Sequence, residues 1–428
     1  MLEKLKSLRA LVSPLTAFFI GTLFTCAAYG LLSSYLAVRL NAAQVPTFYS
    51  GIILSVYYVG YIFATLTSYK IINRAGHIRA FSAYISILSA LVLLHAIWFN
   101  TWYWGILRLL EGYCLASAFV CLESWLNTRS NNQNRGIIMS LYMVTSYLGA
   151  ASGQLMLNIP DEKRFILFIL VSVLYSIALV PISLTALPSP DISKHKPMSV
   201  RQMYKIAPVG VVGCVISGIL VGSVYTLGAI YAESAGLSLY NVSLFMFFCI
   251  VGGMSAQIPI GRLSDRMDRR FVMMWCSGIL FLIAPWIHMF IDGNVWELTI
   301  SCLLLGAGTF ILYPICVSHV NDKIDDDERV EASGLLILLQ SVGMIVGPIV
   351  ISYLMQTFGS ICFLLSFSVA NGAFVLFVFK QISFKPYINY KNVTKTDPIP
   401  LTPTHVYPEI AQEDGLISKA KELFKNKH

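Results

Sequence analysis

Long stretches of this chain carry no charge. Asp, Glu, Lys and Arg are absent from Ala10 to Val38, from Leu40 to Tyr69 and from Ala80 to Leu107. Further charge-free runs cover 136–160, 165–190, 206–232, 234–261, 271–291, 298–321 and 332–379. A bilayer core about 30 Å thick takes about 20 residues of helix. Most of these runs therefore hold one spanning helix, and 332–379 holds two. Region 102–126 is also apolar, interrupted by Arg108, Glu111 and Glu123. Counting it gives twelve spans. Only 12% of the 428 residues are charged, against about 25% in soluble domains, too few to clothe a water-soluble fold of this size. A free cytosolic enzyme and a disordered activation domain are excluded together. Spanning β-strands need only about 9–11 residues, with a polar alternation that these runs lack.

The spans read as 14–38, 47–69, 80–98, 102–126, 136–158 and 165–187, then 206–231, 240–260, 271–290, 296–318, 332–355 and 359–380. A linker at 188–205, holding Pro188, Pro190, Lys194, Lys196, Pro197 and Arg201, divides them six and six. The expected organisation is a first half at 1–187, a second half at 206–380 and a tail at 381–428. Basic residues settle on the cytoplasmic side of such proteins. With the N-terminus inside, 26 of the 30 Lys and Arg fall in inner segments and three, Arg39, Lys163 and Arg164, in outer loops. Both termini are thus expected in the cytoplasm. The net charge of +8 then reflects topology and gives no reason to invoke nucleic acid. Span 14–38 is too long for a cleavable signal peptide, and the nine cysteines lack metal-ligand spacing,. Apolar residues between lysines in the tail (Leu416, Ile417, Leu423, Phe424) suit a short helix on an anionic lipid surface.

The two halves look repeated. The loop after the second span reads Tyr69-Lys70-Ile71-Ile72-Asn73-Arg74-Ala75-Gly76, and that after the eighth reads Gly261-Arg262-Leu263-Ser264-Asp265-Arg266-Met267-Asp268-Arg269-Arg270. Arg74 and Arg266 coincide at an offset of 192 residues. The second loop resembles the Gly-x-x-x-Asp-Arg-x-Gly-Arg-Arg signature of the major facilitator superfamily, with Asp268 in place of the second glycine. The first is a worn copy. Arg108-Leu109-Leu110-Glu111-Gly112 is similar to the family's Arg-x-x-Gln-Gly element. Glu123-Ser124-Trp125-Leu126-Asn127, Arg135-Gly136 and Tyr313-Pro314 resemble the bacterial transporters called YcaD-like. The resemblance, over roughly 10–380, implies an all-α polytopic fold of two six-helix pseudo-repeats, working as a monomer in the bacterial inner membrane. Helices 1, 4, 7 and 10 would line a central cavity.

Intramembrane charge usually faces a bundle interior or a water-filled path. Arg108 and Glu111 are therefore the foremost candidates, Glu111 to take and release a proton and Arg108 to tune it or hold an anionic group. The bland alternative is a fixed ion pair. Thr25, Tyr29, Ser33, Ser217, Tyr225, Thr226, Thr309 and Tyr313 are the polar and aromatic candidates on the cavity helices. Tyr29 and Tyr225 carry added weight because they lie at similar places in the first helices of the two halves. Glu123, Asn127, Arg135, Arg74, Asp265, Arg266, Arg269 and Arg270 are expected at the inner surface, where charges at helix ends can clamp the halves together. His95 reads as a lone interface histidine, with proton coupling as the lesser alternative because a histidine can titrate near neutral pH. The run Asp325-Asp326-Asp327-Glu328 reads as a solvated loop.

The expected function is secondary transport of a small solute by alternating access, driven by a proton gradient and needing no cofactor. No Gly-x-x-x-x-Gly-Lys-Ser/Thr loop occurs to support ATP drive,. Export of an amphipathic compound is favoured slightly over uptake of a nutrient, on the aromatic, charge-poor helices and a faint antiporter-like pattern, Gly149-Ala150-Ala151-Ser152-Gly153. A lipid-handling enzyme would need a reactive constellation that His319 and Asp322 alone do not make. A sensor would need a larger soluble domain than the 48-residue tail.

Overall fold

The structure is a computed structural model, which describes residues 15–129, 135–185, 198–290, 294–325 and 328–384; for 127–129, 135, 136, 330 and 384 it describes the backbone alone. The described chain is helical, without strands. The first half contains α1 (Thr16–Ala42), α2 (Thr47–Ala75), α3 (His77–Ile97), α4 (Thr101–Arg129), α5 (Arg135–Leu155) and α6 (Ile166–Ser183). A short helix, Val200–Ile206, precedes the second half. That half contains α7 (Pro208–Ser234), α8 (Leu239–Arg266), α9 (Arg269–Phe290), α10 (Val295–Phe310, resuming as Leu312–Asn321), α11 (Arg329–Phe358) and α12 (Cys362–Phe384). Among the described residues, eleven helices are long and apolar enough to cross a bilayer. The twelfth, α5, is not among them; it carries Ser140, Thr145, Ser146, Ser152 and Gln154. Its polarity is used inside: Ser34 donates to Gln154, which donates to the Gly30 carbonyl at 2.9 Å, tying α5 to α1. The break in α10 at Ile311 follows from Pro314, whose nitrogen cannot donate to the Phe310 carbonyl,.

Side chains such as Trp275, Leu282, Trp286, Val369 and Leu376 are exposed, the apolar dress of a lipid-facing surface. Trp98, Trp102 and Trp296 stand exposed at the end of the bundle that is poor in lysine and arginine, as interfacial aromatics do.

The repeat reaches down to single hydrogen bonds. Helices α1, α2 and α3 start 192 residues before α7, α8 and α9. The turn after α1 closes with Val45 N–H on the Leu40 carbonyl, and that after α7 with Leu237 on Ala232, each at 3.1 Å. Both turns pass through the left-handed region at the same place, Gln44 (φ 56°) and Gly236 (φ 92°). The crossing of α2 over α4 is equally duplicated. A methyl group on Gly112 would strike the Tyr57 carbonyl oxygen, and one on Gly306 the Cys249 carbonyl oxygen of α8. Close backbone approach at small residues is how membrane helices pack without a hydrophobic drive.

The ends of α2 and α8 differ most from the sequence expectation. Helices α2 and α8 continue to Ala75 and Arg266, so Arg74, Asp265 and Arg266 sit on last helical turns and not in loops. The ladder runs on because polar residues at a helix end are solvated as readily on helix as off it. The linker beyond 185 up to 197, the tail beyond 384 and Asp326–Asp327 lie outside the described residues.

Candidate functional site

Two groups of residues meet where sequence reasoning placed its candidates. The first is a buried charge cluster in α3 and α4. Arg108 and Glu111 are 4% and 1% exposed, and Arg108 Nη1 donates to Glu111 Oε2 at 2.9 Å. His95, expected to stand alone, faces the other oxygen: its Nδ1 is 3.3 Å from Glu111 Oε1 and 3.2 Å from the Leu91 carbonyl. The Leu91 carbonyl can only accept, so the hydrogen bond there puts the hydrogen on Nδ1,. Trp104 and Phe168 pack the imidazole at ring separations of 5.0 and 5.8 Å. His95 Nε2 and Arg108 Nε are buried with no hydrogen-bond partner among the described residues. Their spacing explains why the sequence hid this contact. Residues 95 and 111 belong to antiparallel neighbours joined by a short turn, and no motif spans that turn.

The second group is aromatic and lies where the halves touch. Tyr29 and Tyr225 are in contact, ring centres 5.5 Å apart. Tyr29 also packs on Tyr57 (5.7 Å), Tyr57 on Tyr58 (5.1 Å), and Tyr225 on Phe310 (5.7 Å). Gln257 donates to Tyr147, which packs on Phe310. The guanidinium of Arg108 stands 4.4 Å over the Tyr57 ring, a cation–π contact that links the two groups. The tyrosines of α2 were missed, since only helices 1, 4, 7 and 10 were expected at the centre. The available signal was Tyr57, Tyr58 and Tyr61, which share a face at helical spacing.

The remaining candidates are scattered more widely. Thr226 and Tyr313 are buried. Ser33 donates to the Gly30 carbonyl at 2.9 Å, and its hydroxyl is committed to its own helix. The Thr25 and Thr309 hydroxyls are buried without a hydrogen-bond partner among the described residues. Ser217 faces Gln340.

At the basic end, Glu123 corrects the sequence reading. It is 1% exposed and accepts from the Tyr142 hydroxyl at 2.9 Å, between α4 and α5. Helix α4 runs on to Arg129, which leaves Glu123 more than a turn inside the bundle and not on its surface. The side chains of Asn127 and Arg135 lie outside the described residues. Arg269 bridges Asp322 (2.6 Å) and Asp265 (3.0 Å), both in its own half. Arg74 and Arg266 are exposed.

Asp268 has a structural reason to replace glycine. It precedes α9 and takes the Arg270 N–H at 2.9 Å and the Arg270 guanidinium at 2.8 Å. Partial burial opposes its charge, but Arg270 outweighs that and holds the carboxyl below the ordinary aspartate range. Replacing Asp268 by Ala should cost about 1 kcal/mol, as loss of a helix cap does. The Asp268 contribution is present above the unfolded-state value near pH 4 and fades as pH falls through the lower folded value. Thermal unfolding of wild type and D268A should therefore differ at pH 7 and converge in strong acid.

A profile of the Major Facilitator Superfamily matches residues 18–257 and 250–427. The chain belongs to the Major Facilitator Superfamily. It is 28% identical over 350 residues to the uncharacterized MFS-type transporter YcaD of Escherichia fergusonii, covering 80% of this chain and 89% of that protein. It is 25% identical over 380 residues to YcaD of Salmonella typhi, covering 87% and 97%. Among solved structures, a mutant of the nucleoside transporter NupG aligns with TM-score 0.72 at 12% identity, over 86% of this chain and 99% of that one. A bacterial homologue of the human lysosomal transporter Spinster, captured inward-facing and unoccupied, aligns with TM-score 0.71 at 12% identity, over 88% and 99%. These superfamily members share the fold, and this protein is a multi-pass membrane transporter.

Within that fold, the charge cluster is one-sided. The second-half positions matching His95, Arg108 and Glu111 are Ile287, Cys302 and Leu305, all buried. The register is fixed for α4 and α10 by Gly112 and Gly306 at the duplicated crossing, and for α3 and α9 by their starts 192 residues apart.

Proposed function

We propose that this protein is a proton-coupled secondary transporter of a small amphipathic solute, acting by alternating access in a bacterial inner membrane with its termini in the cytoplasm. Glu111 is the proton-carrying group. One observation carries the reading: a buried ionisable cluster occupies a site that the other half of the same molecule fills with Ile287, Cys302 and Leu305. Packing there does not require charge. Charge in a membrane interior is costly, and its confinement to one half is what a working site would leave.

Alternating access is supported by the seam between the halves. At the lysine-poor end, Phe48 N–H donates to Gln356 (2.9 Å) and Asn158 donates to Ser243 (2.6 Å). Gly51 packs against Ser352, and Gly51 and Ser243 are equivalent positions, 192 residues apart. The outer ends of α2 and α8 thus close on α11 and on the residues after α5 in matched fashion. Oxidative cross-linking of an Asn158→Cys/Ser243→Cys pair should stop transport, and reduction should restore it. Unchanged flux through the cross-linked protein removes this seam from the cycle.

The glycines of the antiporter-like pattern bear on the direction of transport. Gly149 and Gly153 seat α5 on α1, and Gly343 and Gly347 seat α11 on α7 in the same way. That packing role carries no preference for export. Metabolite profiles of deletion and overexpression strains decide it. A compound enriched in the medium on overexpression means export, and one depleted from it means uptake.

A further inference from the structure

We propose that the transported solute is a planar aromatic carboxylate, which binds Arg108 by displacing Glu111. This deepens the proton-coupled reading above and rests on it. Three observations lead here. The place where the halves meet is packed with Tyr29, Tyr57, Tyr58, Tyr225 and Phe310, whose faces stack flat rings, and the four tyrosine hydroxyls tolerate polar edges. Of the buried ion pair, the cation is the member turned to these rings, 4.4 Å over Tyr57. Glu111 is turned instead toward His95, which Trp104 and Phe168 enclose. A solute arriving between the tyrosines therefore meets positive charge first. Arg108 also has capacity to spare, because its Nε–H is buried without an acceptor among the described residues and a planar guanidinium suits two-point contact with a carboxylate.

The exchange balances. Before binding, Arg108 and Glu111 sum to zero charge. A carboxylate that takes Arg108 leaves Glu111 facing His95 and within electrostatic reach of Tyr57, Tyr175 and Cys114, with no second cation among those groups while His95 is neutral. Glu111 then accepts one proton from water. The loaded site holds one guanidinium, one bound carboxylate and one neutral carboxyl group, again zero. Solute and proton consequently travel together, which makes the coupling a symport and, under an inward proton gradient, an uptake. A cationic solute would have to displace Arg108 from Glu111 and would predict the opposite exchange.

The test uses purified full-length protein in lipid nanodiscs at pH 7, in weak buffer with an indicator dye. The probes are benzoate, phenylacetate and indole-3-acetate, each beside its primary amide and the matching amine (benzylamine, phenethylamine, tryptamine). One or more acids should raise the thermal unfolding midpoint while their amides and amines do not, with one proton taken up per acid bound. Glu111→Gln should bind the same acid about tenfold more tightly, since the competing carboxylate is gone, and without proton uptake. Arg108→Gln leaves a buried carboxylate alone and can fail to fold. The double variant Arg108→Cys/Glu111→Leu copies the pair the second half already buries, and should fold but lose acid binding. Preference for the amines, or equal response to acid, amide and amine, overturns the proposal. So does no response to any acid; if Glu111→Gln still abolishes proton-driven flux, the solute class falls while the proton reading stands. Acid binding without proton uptake overturns the exchange and the role of Glu111 together, and weaker acid binding by Glu111→Gln refutes displacement.

Discussion

Proteoliposomes carrying the Glu111→Gln variant should show no solute movement driven by an imposed pH gradient, with flux falling to the level of empty vesicles. Glutamine keeps the size of the side chain and its ability to accept from Arg108, but it cannot release a proton. Loss of a group that must change protonation state in each cycle costs the coupled reaction altogether and not a fraction of it. Stability is a separate matter, because the variant leaves Arg108 with an uncompensated charge, and breaking a buried pair costs about 3–5 kcal/mol. The paired change Arg108→Cys/Glu111→Leu removes that penalty. It should insert and unfold like wild type yet remain uncoupled. Gradient-driven flux near the wild-type rate in Glu111→Gln would exclude the residue from proton transfer.

The largest effect on stability is expected at Gly112. Its Cα lies against the Tyr57 carbonyl of α2, so a leucine there must push backbone from backbone. The cost should exceed the roughly 1–3 kcal/mol of ordinary overpacking, which side-chain rearrangement relieves. Gly112→Leu should fail to accumulate as folded protein, and Gly306→Leu, its counterpart against the Cys249 carbonyl, should fail equally. Gly105 lies two turns away on the same helix, and a methyl group there would meet nothing within 4 Å. Gly105→Ala should therefore be tolerated and gain about 0.5–1 kcal/mol from helix propensity. Fluorescence-detected size-exclusion chromatography of the three variants checks this, and a well-folded Gly112→Leu protein would contradict the crossing.

Much of the architecture could be read from the chain because solvent dictates it. A helix must satisfy its own backbone in lipid, so apolar runs of sufficient length, charge-free except at Arg108, Glu111 and Glu123, located the helices, α5 included. The Arg74–Arg266 register held over far more than one loop, since duplicated turns and crossings keep the same spacing. Ends of elements were less legible. Asp265 and Arg266 looked like loop residues and Glu123 like a surface group, because a polar residue at a helix end and one beyond it look alike in sequence. The candidate site was half visible. Arg108 and Glu111 stood out as charges in an apolar run, and Tyr29 with Tyr225 as tyrosines at similar places in the first helices of the two halves. His95 and Tyr57 did not, because what joins them to Arg108 and Glu111 is packing between separate helices.

The crossings inside each half and the seam between halves are built from different material. Inside, glycine meets carbonyl, as at Gly112 on Tyr57 and Gly306 on Cys249. Across the seam at Phe48–Gln356 and Asn158–Ser243, a side chain stands on at least one partner, and side chains can turn aside without disturbing a helix. A genetic screen for lost transport should accordingly sort its alleles into two kinds. Lesions at the crossings would leave cells with little of the protein. Lesions at the seam would leave its abundance unchanged and alter the tempo of its cycle, so that a second change on the facing helix could restore the rhythm.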